Sequence, residues 1–129
     1  MLILESIPII YAFPGATENL LDGYLNNFKG IVIVGYGSGN VSNPMYYAIK
    51  KAVDNKVKVI LVTNCKFGGI NPEYADIGGN QSLKELGVIM AQDLNAYQAM
   101  VIGSLVFENE MIPSGYNLEN YFSNKILMN

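Results

Sequence analysis

The sequence contains no histidine and a single cysteine, Cys65, and only 15% of its 129 residues are charged. Each shortage removes a class of function. Without histidine the commonest general base is missing, and nothing is available to activate Cys65 as a nucleophile. On its own chemistry Cys65 therefore reads as a structural cysteine, a small hydrophobe just after a strand. A metal site would need oxygen ligands alone, and Glu73 with Asp76 is one loop pair rather than a cage. No metal and no cofactor are expected. One cysteine forms no internal disulfide, which agrees with a reducing compartment, and a cytoplasmic location is expected. The net charge is -3 and the only adjacent cations, Lys50 and Lys51, read as a solvated helix face, so nothing directs the chain to nucleic acid. No apolar run approaches the ~20 residues of a membrane span. The start at Met1 lacks the basic lead-in and small-residue cleavage site of a signal peptide, so no membrane association is expected.

What is present is apolar and glycine-rich. Half of the residues are apolar or aromatic, enough for one well-buried domain spanning 1–129 with a single core. Its organising stretch is Gly30-Ile31-Val32-Ile33-Val34-Gly35-Tyr36-Gly37-Ser38-Gly39-Asn40, followed by Asn43-Pro44. Consecutive β-branched residues indicate a strand buried on both faces, as in a parallel sheet covered by helices. Glycines at alternate positions then allow a sharp turn and close approach to whatever lies above the strand end.

The rest of the chain alternates in the same way. A short first strand, 8–13, stops at Pro14-Gly15. Thr17 is placed to cap a helix carrying Leu20, Leu21, Tyr24, Leu25 and Phe28. Asn43 and Pro44 predict a helix start, with Met45, Ala48, Ile49, Ala52 and Val53 as its buried stripe. Strands are predicted over 57–63 and 87–91, with a short helical turn at 81–86 between them. Asn95 is placed to cap a further helix carrying Tyr97, Met100, Val101, Ser104, Leu105 and Phe107, and the tail 116–127 forms one more amphipathic pattern. The loop 64–79 exceeds the usual 2–6 residues of such connections, a length often found at functional edges. The expected fold class is therefore α/β: three layers, with about four parallel strands and helices on both faces, Rossmann- or flavodoxin-like. Strand order is not readable from the pattern.

Gly35, Gly37 and Gly39 suggest a dinucleotide fingerprint, but two positions disagree. The third glycine belongs where Asn40 stands, and the acidic residue due at the next strand end is replaced by Thr63-Asn64. The glycines then serve a tight turn.

Several separated motifs together resemble another family. The glycine turn at 30–40, Thr63-Asn64-Cys65, Tyr74, Leu86-Gly87-Val88-Ile89 and Asp93-Leu94-Asn95, with Phe13-Pro14-Gly15 before them, look like the C-terminal domain of the bacterial-type L-asparaginases. The resemblance covers about 7–108. It implies a two-domain amidohydrolase that converts asparagine to aspartate and ammonia with a threonine nucleophile held in an N-terminal domain. The "TGG" and "GTDT" motifs of that domain do not occur in this sequence. The chain thus looks like the second half of such an enzyme, inactive alone, and the N-terminal catalytic domain is expected to be absent.

By resemblance, Asn40 reaches substrate bound at a neighbouring subunit or the N-terminal domain. Ser38 and Gly39 are expected to bind substrate beside it, while Gly35 and Gly37 form the turn. Asn80 is the closest match to a carboxylate that the periplasmic branch contributes. Cys65 matches the cysteine of a regulatory asparagine pocket in the cytosolic branch, but the arginine of that pocket is Val34 here, so its carboxylate-binding fork is missing. The implied partners are asparagine in a composite site, an N-terminal domain, and further copies of the chain as a homo-oligomer. The alternative is a non-catalytic binding or scaffold module of the same fold. The family also supplies domains to amidotransferases acting on charged transfer RNA, a use the acidic balance does not favour.

Overall fold

A computed structural model of the chain describes residues 6–13, 15–35, 41–63, 80–91 and 94–108 (Asn80 and Glu108 by backbone only). Four strands form one parallel sheet: β1 (Ile9–Tyr11), β2 (Gly30–Gly35), β3 (Lys58–Thr63) and β4 (Ile89–Met90), in the consecutive order β1-β2-β3-β4. Among the described residues three α-helices accompany them: α1 (Asn43–Asp54), α2 (Asn80–Leu86) and α3 (Ala96–Glu108). The expected α/β class with four parallel strands is what the chain adopts.

Alternation along the strands divides the single core expected from the sequence into two, one on each face of the sheet. Ile31, Ile33, Val59, Leu61, Val88 and Met90 face one way, against Met45, Ala48, Ile49 and Ala52 of α1 and Leu83 of α2. Val32, Val34, Ile60, Val62, Ile89 and Ala91 face the other way, against Ala99, Val106 and Phe107 of α3. A strand buried on both faces needs no polar alternation, which is why the β-branched run is continuous. The β1–β2, β2–β3 and β3–β4 connections contribute Leu21, α1 and α2 to the same core. Consecutive parallel strands joined by crossovers of one hand place all their connectors on one face. The opposite face is left to α3, which follows the last strand and returns across the sheet.

Sequence and structure differ at four places. Residues 17–28 form turns and a single 3-10 turn at Asp22–Tyr24 instead of an α-helix. Their backbone bonds include a series of the tight i to i+3 kind, such as Leu20 N–H to Thr17 O (3.1 Å) and Tyr24 N–H to Leu21 O (2.9 Å). Gly23 costs about 1 kcal/mol against alanine in a helix, and Asn19, Asp22, Asn26 and Asn27 all favour turns over helix. The apolar spacing still reported burial, since Leu21 is buried and Leu20, Tyr24 and Leu25 pack against the same core.

The second difference is at α1, where Ser42 rather than Asn43 is the cap, its Oγ accepting from Met45 N–H at 3.4 Å. Third, β1 and β4 are shorter than their apolar runs. Fourth, α3 is rotated from the predicted stripe: Ser104 and Phe107 are buried as expected, but so are Ala99, Gly103 and Val106, whereas Tyr97 and Val101 are exposed. Its start agrees, because Asn95 Oδ1 accepts from Gln98 N–H (2.8 Å) and Gln98 Oε1 accepts from Asn95 N–H (3.0 Å), a reciprocal capping box.

Surface charges add orientation more than stability. Lys51 reaches Asp22 at 3.0 Å and so ties the 3-10 turn to α1. Lys50 meets Asp54 one turn along α1 at 3.0 Å, and that side-chain hydrogen bond raises the lysine's pKa above its ordinary value. Exposed pairs of this kind contribute a few tenths of a kcal/mol.

A buried polar clamp joins the two ends of the described chain. Ile7 N–H donates to Ser104 Oγ at 3.0 Å, and that hydroxyl donates to Met100 O at 2.7 Å. Ser104→Ala leaves a buried N–H without its acceptor and is expected to cost about 1–2 kcal/mol. Urea unfolding measures this, and an unchanged midpoint would show that the clamp is dispensable.

Candidate functional site at the carboxyl edge of the sheet

Parallel strands end on a common edge, and this edge meets ligands in open α/β sheets. Register fixes what lies along it. Gly35 of β2 pairs with Thr63 of β3, Tyr11 of β1 with Val34, and Leu61 of β3 with Met90 of β4. Two further backbone bonds continue the ladder, Ala12 N–H to Val34 O (2.8 Å) and Ala91 N–H to Leu61 O (2.9 Å). The edge therefore runs Ala12, Gly35, Thr63, Ala91.

Gly35 sits as the sequence predicts, buried at the last position of β2. Gly37, Ser38, Gly39, Asn40 and Cys65 lie outside the described residues, as does the side chain of Asn80, whose backbone opens α2. What the structure does settle is where the candidate segments attach. Residues 36–40 run between Gly35 at the sheet edge and Val41, which is buried in the α1-side core. Ser42 then caps α1. The glycine turn and its asparagine are thus bracketed by two fixed points only a few residues apart. Residues 64–79 run from Thr63, level with Gly35, to the start of α2. The two segments singled out in the sequence leave adjacent strands at the same level.

The edge also carries groups that sequence reading missed. Tyr11 is 57% and Phe13 46% exposed at the end of β1, beside the strand that carries the glycine turn. Part of the signal was present in the strand pattern: Phe13 lies in an apolar run that outlasts β1, whereas Tyr11 is paired with Val34 on a strand at the edge of the sheet. Among the described residues no group of three or more His, Cys, Asp or Glu is placed to hold a metal ion. Nor is any described helix long and apolar enough to cross a membrane.

A consecutive parallel sheet, sandwiched between α1 and α2 on one side and α3 on the other, with residues 36–40 and 64–79 leaving adjacent strands at one edge, defines an α/β domain. The chain belongs to the glutaminase/asparaginase C-terminal domain family, whose match runs over residues 6–120. It is similar to a glutamyl-tRNA(Gln) amidotransferase subunit of Thermococcus kodakarensis, 36% identical over 91 residues that make up 70% of this chain and 20% of that protein. The corresponding amidotransferase subunit of Methanosarcina acetivorans is 34% identical over 89 residues, 68% of this chain and 20% of that protein. Among solved structures, a probable cytoplasmic L-asparaginase from Campylobacter jejuni shares the fold with a TM-score of 0.71 at 24% identity, over 93% of this chain and 36% of that one. The thermostable L-asparaginase from Thermococcus kodakarensis aligns with a TM-score of 0.68 at 20% identity, over 94% and 36%. The chain thus spans about a fifth of the length of these curated relatives.

Proposed function

We propose that this domain supplies the non-nucleophilic half of an amide-hydrolysing site, with L-asparagine as the substrate cleaved to aspartate and ammonia. In this reading residues 1–129 act as one domain, and the threonine nucleophile comes from an N-terminal domain outside them. Asn40, flanked by Ser38 and Gly39 on the turn formed with Gly35 and Gly37, contacts the substrate in a composite site. Copies of the chain associate, and the setting is the cytoplasm. The observation that carries the reading is family membership over 6–120. The common level of Gly35 and Thr63 supports it, because both candidate segments then leave the sheet side by side at one edge.

The test is reconstitution. The purified chain is expected to release no ammonia from asparagine, and mixing it with an N-terminal domain of an L-asparaginase is expected to produce release. Ammonia at enzymatic rates from the chain alone, or tight association of the halves without activity, would overturn the division of labour. The second of these results would favour a scaffold role.

A second reading has its own support. The amidotransferase relatives of Thermococcus kodakarensis and Methanosarcina acetivorans match at higher identity than the asparaginases of known structure. A part in a glutamyl-tRNA(Gln) amidotransferase would use the same half-site within a larger protein. The net charge of -3 bears only on this domain, where it disfavours direct phosphate contact, and not on the four-fifths of those relatives that it does not span. Reconstitution with the remainder of such an amidotransferase polypeptide, assayed with and without charged transfer RNA, separates the two readings.

A further inference from the structure

A thioether stands against the buried clamp that fixes the start of β1. The described methionines are Met45, Met90 and Met100. Met45 and Met90 are buried, whereas Met100 is half-buried at the rim of the α3-side core, one turn from exposed Tyr97. Of these three sulfurs, that of Met100 is the one dissolved peroxide meets first. The same sulfur borders the clamp. Met100 Sδ lies 3.7 Å from Ser104 Oγ, the hydroxyl that accepts from Ile7 N–H at 3.0 Å and donates to Met100 O at 2.7 Å.

We propose that Met100 is a peroxide-modified site whose oxidation releases the start of β1 from α3. Hydrogen peroxide transfers one oxygen to the thioether. Its O–O bond breaks and an S–O bond forms; sulfur gives up two electrons, and the second peroxide oxygen leaves as water. The product is a sulfoxide, polar where the thioether was apolar. Two consequences bear on the clamp. The Ser104 hydroxyl has a single proton, given to Met100 O, and the new oxygen competes for it from an atom already 3.7 Å away. The sulfoxide is also costly to keep in the α3-side core without partners, which draws the side chain towards water. Strand β1 has little else to hold it. It is three residues long and, among the described strands, pairs with β2 alone. Ile7, just before it, is seated on α3 at Gly103, where a Cβ would come within 2.5 Å of Ile7 Cδ1. The other end of the strand carries Tyr11 and Phe13 to the candidate edge, so the modification acts on an element of that edge. Reduction by a methionine sulfoxide reductase restores the clamp.

The test uses the full chain with hydrogen peroxide as the probe. Peptide mass spectrometry is expected to find oxygen on Met100 before Met45 or Met90. Hydrogen exchange of the Ile7 amide is expected to accelerate by about 5- to 30-fold, as for a buried donor deprived of its acceptor. Methionine sulfoxide reductase is expected to reverse that change. Two variants separate the device from general oxidative damage. Met100→Leu keeps the volume but has no oxidisable sulfur, so its Ile7 exchange should not respond to peroxide. In Ser104→Ala the clamp is already lost, so oxidation of Met100 should add nothing to an exchange that starts fast. Any of three results sinks the proposal: Met100 oxidised no faster than Met45 or Met90, Ile7 exchange unchanged in the Met100 sulfoxide, or acceleration that persists in Met100→Leu.

Discussion

Gly30→Val is expected to destabilise the folded chain by about 3 kcal/mol, the upper end of the usual cost of overpacking. A Cβ at Gly30 would lie 2.5 Å from Phe107 Cδ2, 3.0 Å from Phe107 Cε2 and 3.3 Å from Lys58 O. Neither obstacle yields easily. Phe107 is a rigid ring, buried against the sheet in the last turn of α3. Lys58 O is backbone of the strand registered opposite Gly30. Valine's strand propensity pulls the other way, but the whole propensity scale spans only about 1 kcal/mol, so the clash decides the sign. Gly103 makes a useful contrast. A Cβ there meets Ile7 Cδ1 at 2.5 Å and Ile60 Cδ1 at 3.0 Å, both at the ends of flexible side chains, so Gly103→Ala should cost less. The mechanism is checked by a second substitution: Phe107→Leu in the Gly30→Val chain should recover part of the urea midpoint, although alone it removes buried ring area. A Gly30→Val chain as stable as the parent, or a double variant no better than the single, would mean that α3 does not sit on Gly30 as described.

This close approach also shows which parts of the fold were legible. The run from Ile31 to Val34 announced a two-faced strand because burial on both sides removes the need for polar alternation. Helix α1 was equally clear, since Pro44 and the Met45–Ala48–Ile49–Ala52 stripe state both its start and its inward side. By contrast α3 gave a helix but no phase: with apolar residues all round, periodicity carries no direction, and the small residues Gly103 and Ser104 mark its sheet-facing side better than the large ones do. The segment 17–28 failed for another reason. Its apolar spacing reported contact with the core, while Gly23 and the Asn and Asp residues decided the local backbone. The consecutive strand order had no local signal, because it depends on which neighbour each strand finds after a crossover.

The candidate site was legible in a different way. Physical reading alone located the edge and excluded the dinucleotide option, through Asn40 and Thr63-Asn64 standing where glycine and an acid belong. Naming Asn40 as a substrate contact required the resemblance, since one amide on a glycine turn fits many ligands. The structure contributes the anchorage at Gly35 and Val41.

That anchorage makes the role of Asn40 testable. In a reconstituted site, Asn40→Ala is expected to lower kcat/KM by about 10- to 150-fold, the equivalent of a lost hydrogen bond of about 1.5–3 kcal/mol to a charged group. The substrate's α-ammonium and α-carboxylate are the charged groups within an amide's repertoire, because asparagine both donates and accepts. Asn40→Asp tells them apart. If the amide oxygen accepts from the α-ammonium, aspartate keeps the acceptor and should outperform alanine. If the amide nitrogen donates to the α-carboxylate, aspartate places like charges together and should be worse than alanine, with the loss concentrated in KM. A contact made equally in ground and transition states raises KM and spares kcat, whereas one that tightens only as the amide is attacked lowers kcat. For a contact to the α-substituents, which do not change as the side-chain amide is attacked, the expected signature is a raised KM with kcat changed little. Activity unchanged in both variants would remove Asn40 from the site. The composite reading would then have to rest on another residue of the same edge, with exposed Tyr11 and Phe13 the next to substitute.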